Sequence, residues 1–312
     1  MNENLSIIGS GTMGHSIALS AAIAGLEINI WGTDEQDINR GKLGIKEKAG
    51  MLKENDVISD AEYEKVFSLI HFTDSLEKCV AEATYVIEAV PENLQLKQNL
   101  FKTLSQLCQS NVILASNTSG LKPTEIAAFS ENPQRTIGTH FWNPGHLIPL
   151  VEVVLGEKTS PETVSRSLDL MKQMNKKPIV INKEILGSIG NRLQYALFRE
   201  AQFILDQGIA SIEDIDAAVK YSIGRRLQVT GPFMTADMGG LDVFHSISDY
   251  LFPDLTNSDQ PFNRLKTLVK EGKYGQKTGE GYYDWSSSFS KEMNEQREKE
   301  LIYWLKKDRE RI

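Results

Sequence analysis

The first half of the chain alternates short apolar runs with longer segments in which apolar residues recur at helical spacing. A short apolar run between turn signals is typical of a buried strand, whereas apolar residues three and four apart indicate a helix. This alternation predicts parallel strands joined by helices, that is, a doubly wound α/β sheet. The predicted strands are residues 5–8, 28–31, 85–90, 112–116, 137–141 and 150–155, and the predicted helices lie around 16–24, in a polar insertion at 36–67 and at 94–107.

The pattern changes after residue 183. Runs of β-branched residues disappear, and helical periodicity continues through residues 188–207, 212–222 and 240–251. The sequence therefore predicts an α/β domain at 1–183, an all-helical domain at 184–285 and a C-terminal helical tail at 286–312. The tail has apolar residues at Leu301, Ile302 and Leu305, and this face would pack either on the body of the protein or on a second subunit.

One strand-turn-strand segment carries two residues of catalytic type. The strand at 136–141 contains His140, a turn rich in proline and glycine follows, and Glu152 stands within the apolar run of the next strand. A carboxylate in such a run is costly to bury without a partner, and an imidazolium is the obvious partner. The spacing fits two interpretations equally: a base with its orienting carboxylate, or an edge-strand glutamate that faces water beside an ordinary core histidine.

Residues 9–14 read Gly-Ser-Gly-Thr-Met-Gly, directly after a predicted strand and at the start of a predicted helix. In this context Gly9 allows the tight turn, Gly11 lets a pyrophosphate approach the backbone, and Gly14 lets the helix pack closely on the strand. The helix N-terminus adds amide donors and partial positive charge. The alternative is a plain glycine-rich turn. The motif predicts a Rossmann-type domain that binds NAD through Gly9, Ser10, Gly11, Thr12, Met13 and Gly14.

An acid that binds the ribose hydroxyls of NAD is expected at the end of the second strand, about twenty residues after the glycine motif. Gly32 occupies that slot here, and Asp34 follows two residues later. Residues 32–39 contain no Lys or Arg that would accept the 2′-phosphate of NADP, and the nearest base is Arg40. The sequence therefore favours NAD over NADP, with Asp34 as the candidate acid.

Chain length, net charge and cysteine content limit the kinds of ligand and partner that we expect the protein to bind. A chain of 312 residues is long enough for two domains, and its formal net charge of −8 argues against general nucleic-acid binding. The two cysteines, Cys79 and Cys108, have no metal-binding or redox spacing. The N-terminal residues lack the basic region of a signal peptide, so none is expected, and no apolar run reaches membrane-spanning length. We therefore expect a cytoplasmic protein without a metal, without a membrane partner, and with a small-molecule substrate.

Seven separated motifs together resemble the L-3-hydroxyacyl-CoA dehydrogenase family, including its 3-hydroxybutyryl-CoA dehydrogenases. The resemblance extends over nearly the whole chain, to about Trp285. The motifs are the glycine turn at 9–14, Val-Ile-Glu-Ala-Val-Pro-Glu-Asn at 86–93 with Lys97, Ala-Ser-Asn-Thr-Ser at 115–119, His-Phe-Trp-Asn-Pro at 140–144 with Leu-Val-Glu at 150–152, Gly-Asn-Arg-Leu at 190–193, and the segments 231–243 and 275–281.

The resemblance implies an activity and a set of roles. The activity is the reversible oxidation of a 3-hydroxyacyl-CoA by NAD in fatty acid metabolism, in a homodimer built through the helical domain. His140 would be the general base and Glu152 its partner, while Ser119 and Asn191 would contact the reacting oxygen. The chemistry agrees, since the pKa of an imidazole lies near neutrality. Positions that line the cofactor site in the family correspond to Glu92, Lys97, Asn143 and Lys277.

Simpler structural roles stay open for several of these residues. Ser119 could cap a helix at 123–129, and Asn191 could cap the helix that it begins. Glu92 could merely favour a helix N-terminus. His146 lies close enough in sequence to His140 to touch the substrate.

Departures from the family pattern leave the substrate open. CoA-acting relatives carry a serine and a lysine in the helical insertion that contact CoA, whereas the corresponding positions here hold Lys48 and Asn55. The turn at 145–149 also differs and is similar to that of relatives that oxidise free hydroxy acids or hydroxymethyl compounds. The substrate is therefore either a 3-hydroxyacyl-CoA, such as 3-hydroxybutyryl-CoA, or a free acid without CoA. A catalytically silent dinucleotide-binding protein is the other alternative, and the intact set of four catalytic residues argues against it.

Overall fold

The computed structural model describes residues 3–310, and within that part of the chain eight strands form a single sheet. The strands are β1 (Leu5–Ile8), β2 (Ile28–Trp31), β3 (Ile70–Thr73), β4 (Tyr85–Glu88), β5 (Ile113–Ser116), β6 (Thr136–Phe141), β7 (Leu150–Leu155) and β8 (Lys177–Ile181). Their spatial order is β3-β2-β1-β4-β5-β6-β7-β8. Neighbouring strands are parallel except for β6 and β7, which are antiparallel. The predicted doubly wound α/β sheet is confirmed.

Helices connect the strands and make up the region after the sheet. The helices are α1 (Thr12–Ile23), α2 (Glu35–Glu54), α3 (Asp60–Ser68), α4 (Leu76–Val80), α5 (Leu94–Leu107), α6 (Pro123–Ile126), α7 (Pro161–Gln173), α8 (Ser188–Asp206), α9 (Ile212–Tyr221), α10 (Ile223–Arg226), α11 (Pro232–Gly239), α12 (Leu241–Leu251), α13 (Asn263–Lys270) and α14 (Ser287–Glu310). Short 3₁₀ turns occupy Ala127–Phe129, Pro133–Arg135 and Gln276–Thr278. Within the described residues, no helix is long and apolar enough to cross a membrane.

The polar insertion at 36–67 forms two helices rather than one. The first, α2, ends at Glu54 with Asn55 as its C-cap, and Asp56 then adopts a positive φ of 53°. Ser59 and Glu62 then form a reciprocal capping box that starts α3. Strands β3 and β8, at the two edges of the sheet, are absent from the sequence-based prediction, because their apolar segments (Ile70 and Phe72 in β3, residues 179–181 in β8) are shorter than the run of four or more residues that indicates a strand.

The described residues divide into two compact units, one made of 3–190 with 296–310 and the other of 191–295. The boundaries drawn from the sequence, after residues 183 and 285, follow composition rather than packing and stay a prediction. The first unit contains the sheet, and its main core consists of apolar side chains from the strands, α1, α2 and α7. The second unit consists of helices and the 3₁₀ turn at Gln276–Thr278.

The end of α14 belongs to the first unit. Ile302 is 5% exposed and lies in the same hydrophobic cluster as Leu52 and Val57, with Leu301 and Leu305 packed against that cluster. Apolar burial of this kind contributes about 25 cal/mol per Å². Of the two placements that the sequence left open for the tail, the structure shows packing on the body of the protein.

Candidate active site

The carboxyl ends of the parallel strands β1, β2, β4 and β5 meet along one edge of the sheet, where ligands bind in open α/β folds. The glycine turn follows β1, Gly32 follows β2, Glu92 follows β4 and Ser119 follows β5. The sequence motifs from the first domain therefore gather at this edge.

The antiparallel register of β6 and β7 places His140 directly opposite Glu152. The Nδ1 atom of His140 lies 2.7 Å from Oε2 of Glu152. Both residues are buried, with exposed fractions of 5% for His140 and 0% for Glu152. The glutamate does not face water, so the geometry matches the interpretation as a base with its orienting carboxylate.

Glu152 is held by further donors. The backbone amides of Ile189 and Gly190, at the start of α8, each donate to Oε1 over 2.9 Å. Although burial alone would raise the pKa of Glu152, the hydrogen bonds from His140 and from these amides keep its pKa below the ordinary value. An ionised Glu152 fixes the proton of His140 on Nδ1 and leaves Nε2 to accept a proton.

Trp142 is a site residue that the sequence analysis missed. Its indole Nε1 donates to Oε2 of Glu152 over 3.3 Å, and its ring centroid lies 5.7 Å from that of His140. A Cβ on Gly190 would overlap the Trp142 ring, so this glycine permits the close approach of residues 189 and 190 to Trp142. The spacing of Trp142 from His140 could have indicated this role, because residues two apart along an extended chain point to the same side.

Glu92 organises the turn that carries Ser119. Its Oε1 accepts from the Thr118 hydroxyl over 2.6 Å, from the Ser119 amide over 3.0 Å and from the Gly120 amide over 3.2 Å. Burial opposes ionisation of Glu92, but the Thr118 hydroxyl and the Lys97 ammonium hold its pKa below the ordinary value. The N-cap position of α6 is Lys122, so Ser119 is not the residue that caps that helix. The contact of Ser119 with a reacting oxygen stays a prediction.

Lys97 joins Glu92 to a buried acid that the sequence analysis missed, Glu88. The Lys97 ammonium lies 2.5 Å from Oε1 of Glu88 and 3.3 Å from Oε2 of Glu92. Glu88 ends the apolar strand β4, nine residues before Lys97, and that pattern was the available signal. Glu92 and Lys97 thus form an internal network behind the Ser119 turn, and their role as cofactor ligands stays a prediction.

The glycine turn has the geometry that a dinucleotide requires. Gly9 has a φ of +113°, and a Cβ on Gly14 would overlap the carbonyl of Gly9. A Cβ on Gly11 would meet open space within the described part of the chain. Because α1 begins at Thr12 with Gly11 as its N-cap, a phosphate can approach the first amides of the helix. The residues present fit the diphosphate of NAD.

The remaining predicted site residues are Asp34, Asn143, Asn191 and Lys277. Asp34 is the N-cap of α2, where its side chain accepts from the Asp37 amide over 2.8 Å. Asn143 precedes a cis peptide bond to Pro144. Asn191 and Lys277 belong to the second unit, on α8 and on the turn at Gln276–Thr278. The binding and catalytic roles of these residues stay predictions.

A buried lysine fixes the turn between His140 and Glu152. The Lys176 ammonium donates to the carbonyls of Gly145 over 2.6 Å and of Ile148 over 3.2 Å. Burial, helped by the charge of Arg309, lowers the pKa of Lys176 to about 7. Lys176 could not be predicted from the sequence as part of this region, because it lies far along the chain from the turn that it holds.

We expect Lys176→Met to change the pH dependence of stability. Between about pH 7 and the ordinary lysine pKa, the unfolded chain carries a proton on Lys176 that the native protein lacks. The wild type should therefore gain stability relative to the variant as pH rises, by about 1 kcal/mol per pH unit. Urea unfolding at pH 7.5, 8.5 and 9.5 measures this difference.

Lys172→Met, on the exposed part of α7, is the matched control and should follow the wild type at every pH. Parallel stability curves for wild type and Lys176→Met would contradict the lowered pKa.

Two family models match the chain: the NAD binding domain of 3-hydroxyacyl-CoA dehydrogenase over residues 4–185, and the C-terminal domain of 3-hydroxyacyl-CoA dehydrogenase over residues 187–285. A relative from Mesorhizobium japonicum, 5-formyl-3-hydroxy-2-methylpyridine 4-carboxylate 5-dehydrogenase, is 34% identical over 302 residues, which is 97% of each chain.

Solved structures give the same grouping. The crystal structure of a 5-formyl-3-hydroxy-2-methylpyridine 4-carboxylic acid 5-dehydrogenase, an NAD⁺ dependent dismutase, superposes with a TM-score of 0.92 at 33% identity and covers 99% of both chains. The (S)-3-hydroxybutyryl-CoA dehydrogenase from Ralstonia eutropha superposes with a TM-score of 0.77 at 31% identity, covering 92% of this chain and 100% of that one.

Proposed function

The chain belongs to the 3-hydroxyacyl-CoA dehydrogenase family as an NAD-dependent dehydrogenase acting on a CH–OH group, and we propose that its substrate is a carboxylate without CoA. The substrate class is a free hydroxy acid or a hydroxymethyl carboxylate. This is the second of the two substrate classes that the sequence left open.

The first support comes from the two positions on the helical insertion where CoA-acting relatives contact CoA. Lys48 is half-buried, and its ammonium lies 2.9 Å from Nε2 of His15. The side-chain amide of Asn55 donates to the Met51 carbonyl over 2.9 Å, at the end of α2. Both side chains are thus engaged within the protein.

The observation that carries the proposal is the placement of the tail on this same part of α2. The tail residue Ile302 is buried in the cluster that contains Leu52 and Val57, and the Arg309 guanidinium donates to the Val57 carbonyl. A CoA group in contact with these positions would have to displace packed apolar side chains and this hydrogen bond, at a cost in free energy.

The relatives support the same substrate class. The Mesorhizobium japonicum relative, whose name describes a pyridine carboxylate, is similar over 97% of this chain, and the structure of a dehydrogenase of that name covers 99% of it. The Ralstonia eutropha CoA enzyme covers 92%. An aromatic or aliphatic carboxylate is therefore the substrate class that we propose.

In the proposed reaction, a residue of the chain accepts the proton that the substrate hydroxyl releases. When bound, NAD supplies the acceptor for the hydride that leaves the substrate carbon. Nε2 of His140 accepts the hydroxyl proton, because Glu152 keeps the Nδ1 proton in place and stabilises the imidazolium. Ser119 and Asn191 remain the proposed donors to the oxygen as its C–O bond becomes a carbonyl.

A comparison of acyl carriers tests the substrate class. We expect free keto acids, or pyridine carboxylates that carry an aldehyde or a hydroxymethyl group, to be turned over with a kcat/KM at least roughly a hundredfold above that of acetoacetyl-CoA. Absorbance of NADH at neutral pH measures each rate.

Turnover of acetoacetyl-CoA alone would overturn the proposal and favour the predicted role in fatty acid metabolism. NADH binding without turnover of any member of the panel would favour the catalytically silent alternative.

We also propose that the protein is a homodimer formed through the second unit. Large apolar side chains of this unit are exposed, among them Phe233 (87%), Val229 (76%) and Met238 (76%). Extensive exposed apolar surface marks interaction sites in soluble proteins. Light scattering at micromolar concentration distinguishes a dimer from a monomer.

A further inference from the structure

The carboxylate of Asp37 lies beside Gly32, the residue in the slot where a ribose-binding acid is expected. A Cβ built on Gly32 would lie 2.7 Å from Cγ1 of Ile38, 3.0 Å from the hydroxyl oxygen of Ser10 and 3.3 Å from Oδ2 of Asp37, so α2 packs closely on this position. The carboxylate oxygens of an aspartate are only two bonds from its Cβ. Asp37 therefore brings a carboxylate from the neighbouring helix next to Gly32, at the carboxyl end of β2.

The Asp37 carboxylate is fixed in this position. Its Oδ2 accepts from the Ser10 hydroxyl over 2.7 Å and from the Thr33 amide over 3.2 Å, while Oδ1 accepts from the Arg40 guanidinium over 3.1 Å. Burial opposes ionisation, but these three donors and the charge of Arg40 hold the pKa of Asp37 below its ordinary value. The group is thus an oriented anion at neutral pH, tied to the glycine turn through Ser10.

One face of α2 brings this carboxylate to the turn. Asp37, Gly41, Gly44 and Lys48 are spaced four, three and four residues apart, so they share that face. A Cβ on Gly41 would lie 3.0 Å from the Ser10 carbonyl oxygen, and one on Gly44 would lie 2.5 Å from Nε2 of His15. The two glycines therefore let the helix pack directly on residues 10 and 15.

We propose that Asp37 replaces the missing acid at position 32: its carboxylate accepts the adenosine ribose hydroxyls of NAD and excludes the 2′-phosphate of NADP. The expected acid in this fold acts in the same way from the end of the second strand. A dianionic phosphate beside Asp37 would meet a like charge, whereas a hydroxyl would find an acceptor.

The pairing of Arg40 with Asp37 gives further support for Asp37 as the residue that excludes NADP. The Arg40 guanidinium is largely exposed, with 68% of the side chain accessible, and it is paired with Oδ1 of Asp37. An arginine near this position is the group that accommodates the 2′-phosphate in NADP enzymes. Asp37 therefore repels the 2′-phosphate of NADP. It is also paired with the Arg40 guanidinium, the cation that would otherwise bind that phosphate.

Asp34 is the competing residue, since it is the first acid after Gly32 in the sequence. Its carboxylate is the N-cap of α2 and accepts from the Asp37 amide. This role orients the first turn of α2 and so supports the placement of Asp37.

The test is equilibrium binding of NADH and NADPH to Asp37→Asn without substrate, followed by cofactor fluorescence. Loss of a hydrogen bond to a charged group costs about 1.5–3 kcal/mol, or roughly tenfold to a hundredfold in affinity. We expect Asp37→Asn to bind NADH more weakly by about that factor and NADPH more tightly, so that the ratio of the two dissociation constants falls at least about tenfold.

Two matched variants separate this role from a general loss of charge. Glu35→Gln removes an exposed acid from the same turn of α2 and should leave the ratio unchanged. Asp34→Asn keeps a good N-cap and should also leave the ratio unchanged. Asp37→Ser serves as a second variant should Asp37→Asn fail to fold, which thermal unfolding shows directly.

A ratio in Asp37→Asn or Asp37→Ser equal to that of the wild type would overturn the proposal, and a shift confined to Asp34→Asn would assign the role to Asp34. Because no substrate is present, the outcome does not depend on the proposed substrate class.

Discussion

Replacement of His140 by glutamine is expected to lower kcat by at least about a hundredfold while leaving the affinity for NADH nearly unchanged. Glutamine preserves much of the volume and can still donate to Glu152, but it has no nitrogen that accepts a proton near neutral pH. Positioned acid–base groups contribute about 10²–10⁴ to turnover. Steady-state kinetics with the best substrate of the carrier panel, together with NADH fluorescence titration, measure the two quantities.

The matched control is His71→Gln. His71 is exposed on β3 and pairs with Glu27 at the surface, so its replacement should leave both kcat and NADH affinity as in the wild type. Turnover of His140→Gln within a few-fold of the wild type would rule out His140 as the base. A loss of NADH binding equal to the loss of kcat would show that the substitution damages the cofactor site instead.

The pairing of His140 with Glu152 could be predicted because both partners lie on one short strand-turn-strand segment. The short connection keeps the two strands next to each other, and their antiparallel register then places His140 opposite Glu152. The amides of Ile189 and Gly190 that hold Glu152 could not be predicted in this way. They come from the start of α8, and no local pattern marks which helix end reaches a given carboxylate.

In the cofactor site, too, the features within one short motif could be predicted, whereas contacts between distant elements could not. The glycine turn was recognisable because tight turn, phosphate approach and helix packing all depend on residues within one short motif. The acid beside Gly32 depends on packing between elements instead. Sequence proximity selects Asp34, whereas the close approach of α2 through Gly41 and Gly44 brings Asp37 to that place.

The edge strands were missed for a related reason. The exposed His71 interrupts the apolar residues of β3, and only three apolar residues, 179–181, follow Lys177 and Pro178 in β8, so neither strand shows an apolar run of the length that indicates a buried strand. Pairing to the neighbouring strand, rather than the burial of side chains, defines these elements. Such pairing leaves little trace in the hydrophobic pattern.

The pair of Glu88 and Lys97 combines stability with placement of the site. Glu88 is fully buried, and its carboxylate accepts from Lys97, from the Ser116 hydroxyl over 2.6 Å and from the Val90 amide over 2.7 Å. Burial raises the pKa of Glu88, against the opposing effect of the Lys97 ammonium. The same ammonium contacts Glu92, which holds the Ser119 turn.

Lys97→Met should therefore lower the free energy of unfolding by about 3–5 kcal/mol, because it leaves a buried carboxylate without its cation. With Lys97 gone, the folded protein favours protonated Glu88 still more. The unfolded chain gives up that proton near the ordinary glutamate pKa, so the deficit relative to the wild type should grow as pH rises from 5 to 8. Urea unfolding at several pH values measures it.

Glu88→Gln combined with Lys97→Met removes both charges and should recover part of the lost stability, whereas Lys102→Met, at an exposed position of α5, should cost little. A single variant Lys97→Met as stable as Lys102→Met at pH 8 would show that Glu88 is already protonated in the wild type. Such a result would leave hydrogen bonds, rather than the ion pair, as the support of the turn that carries Ser119.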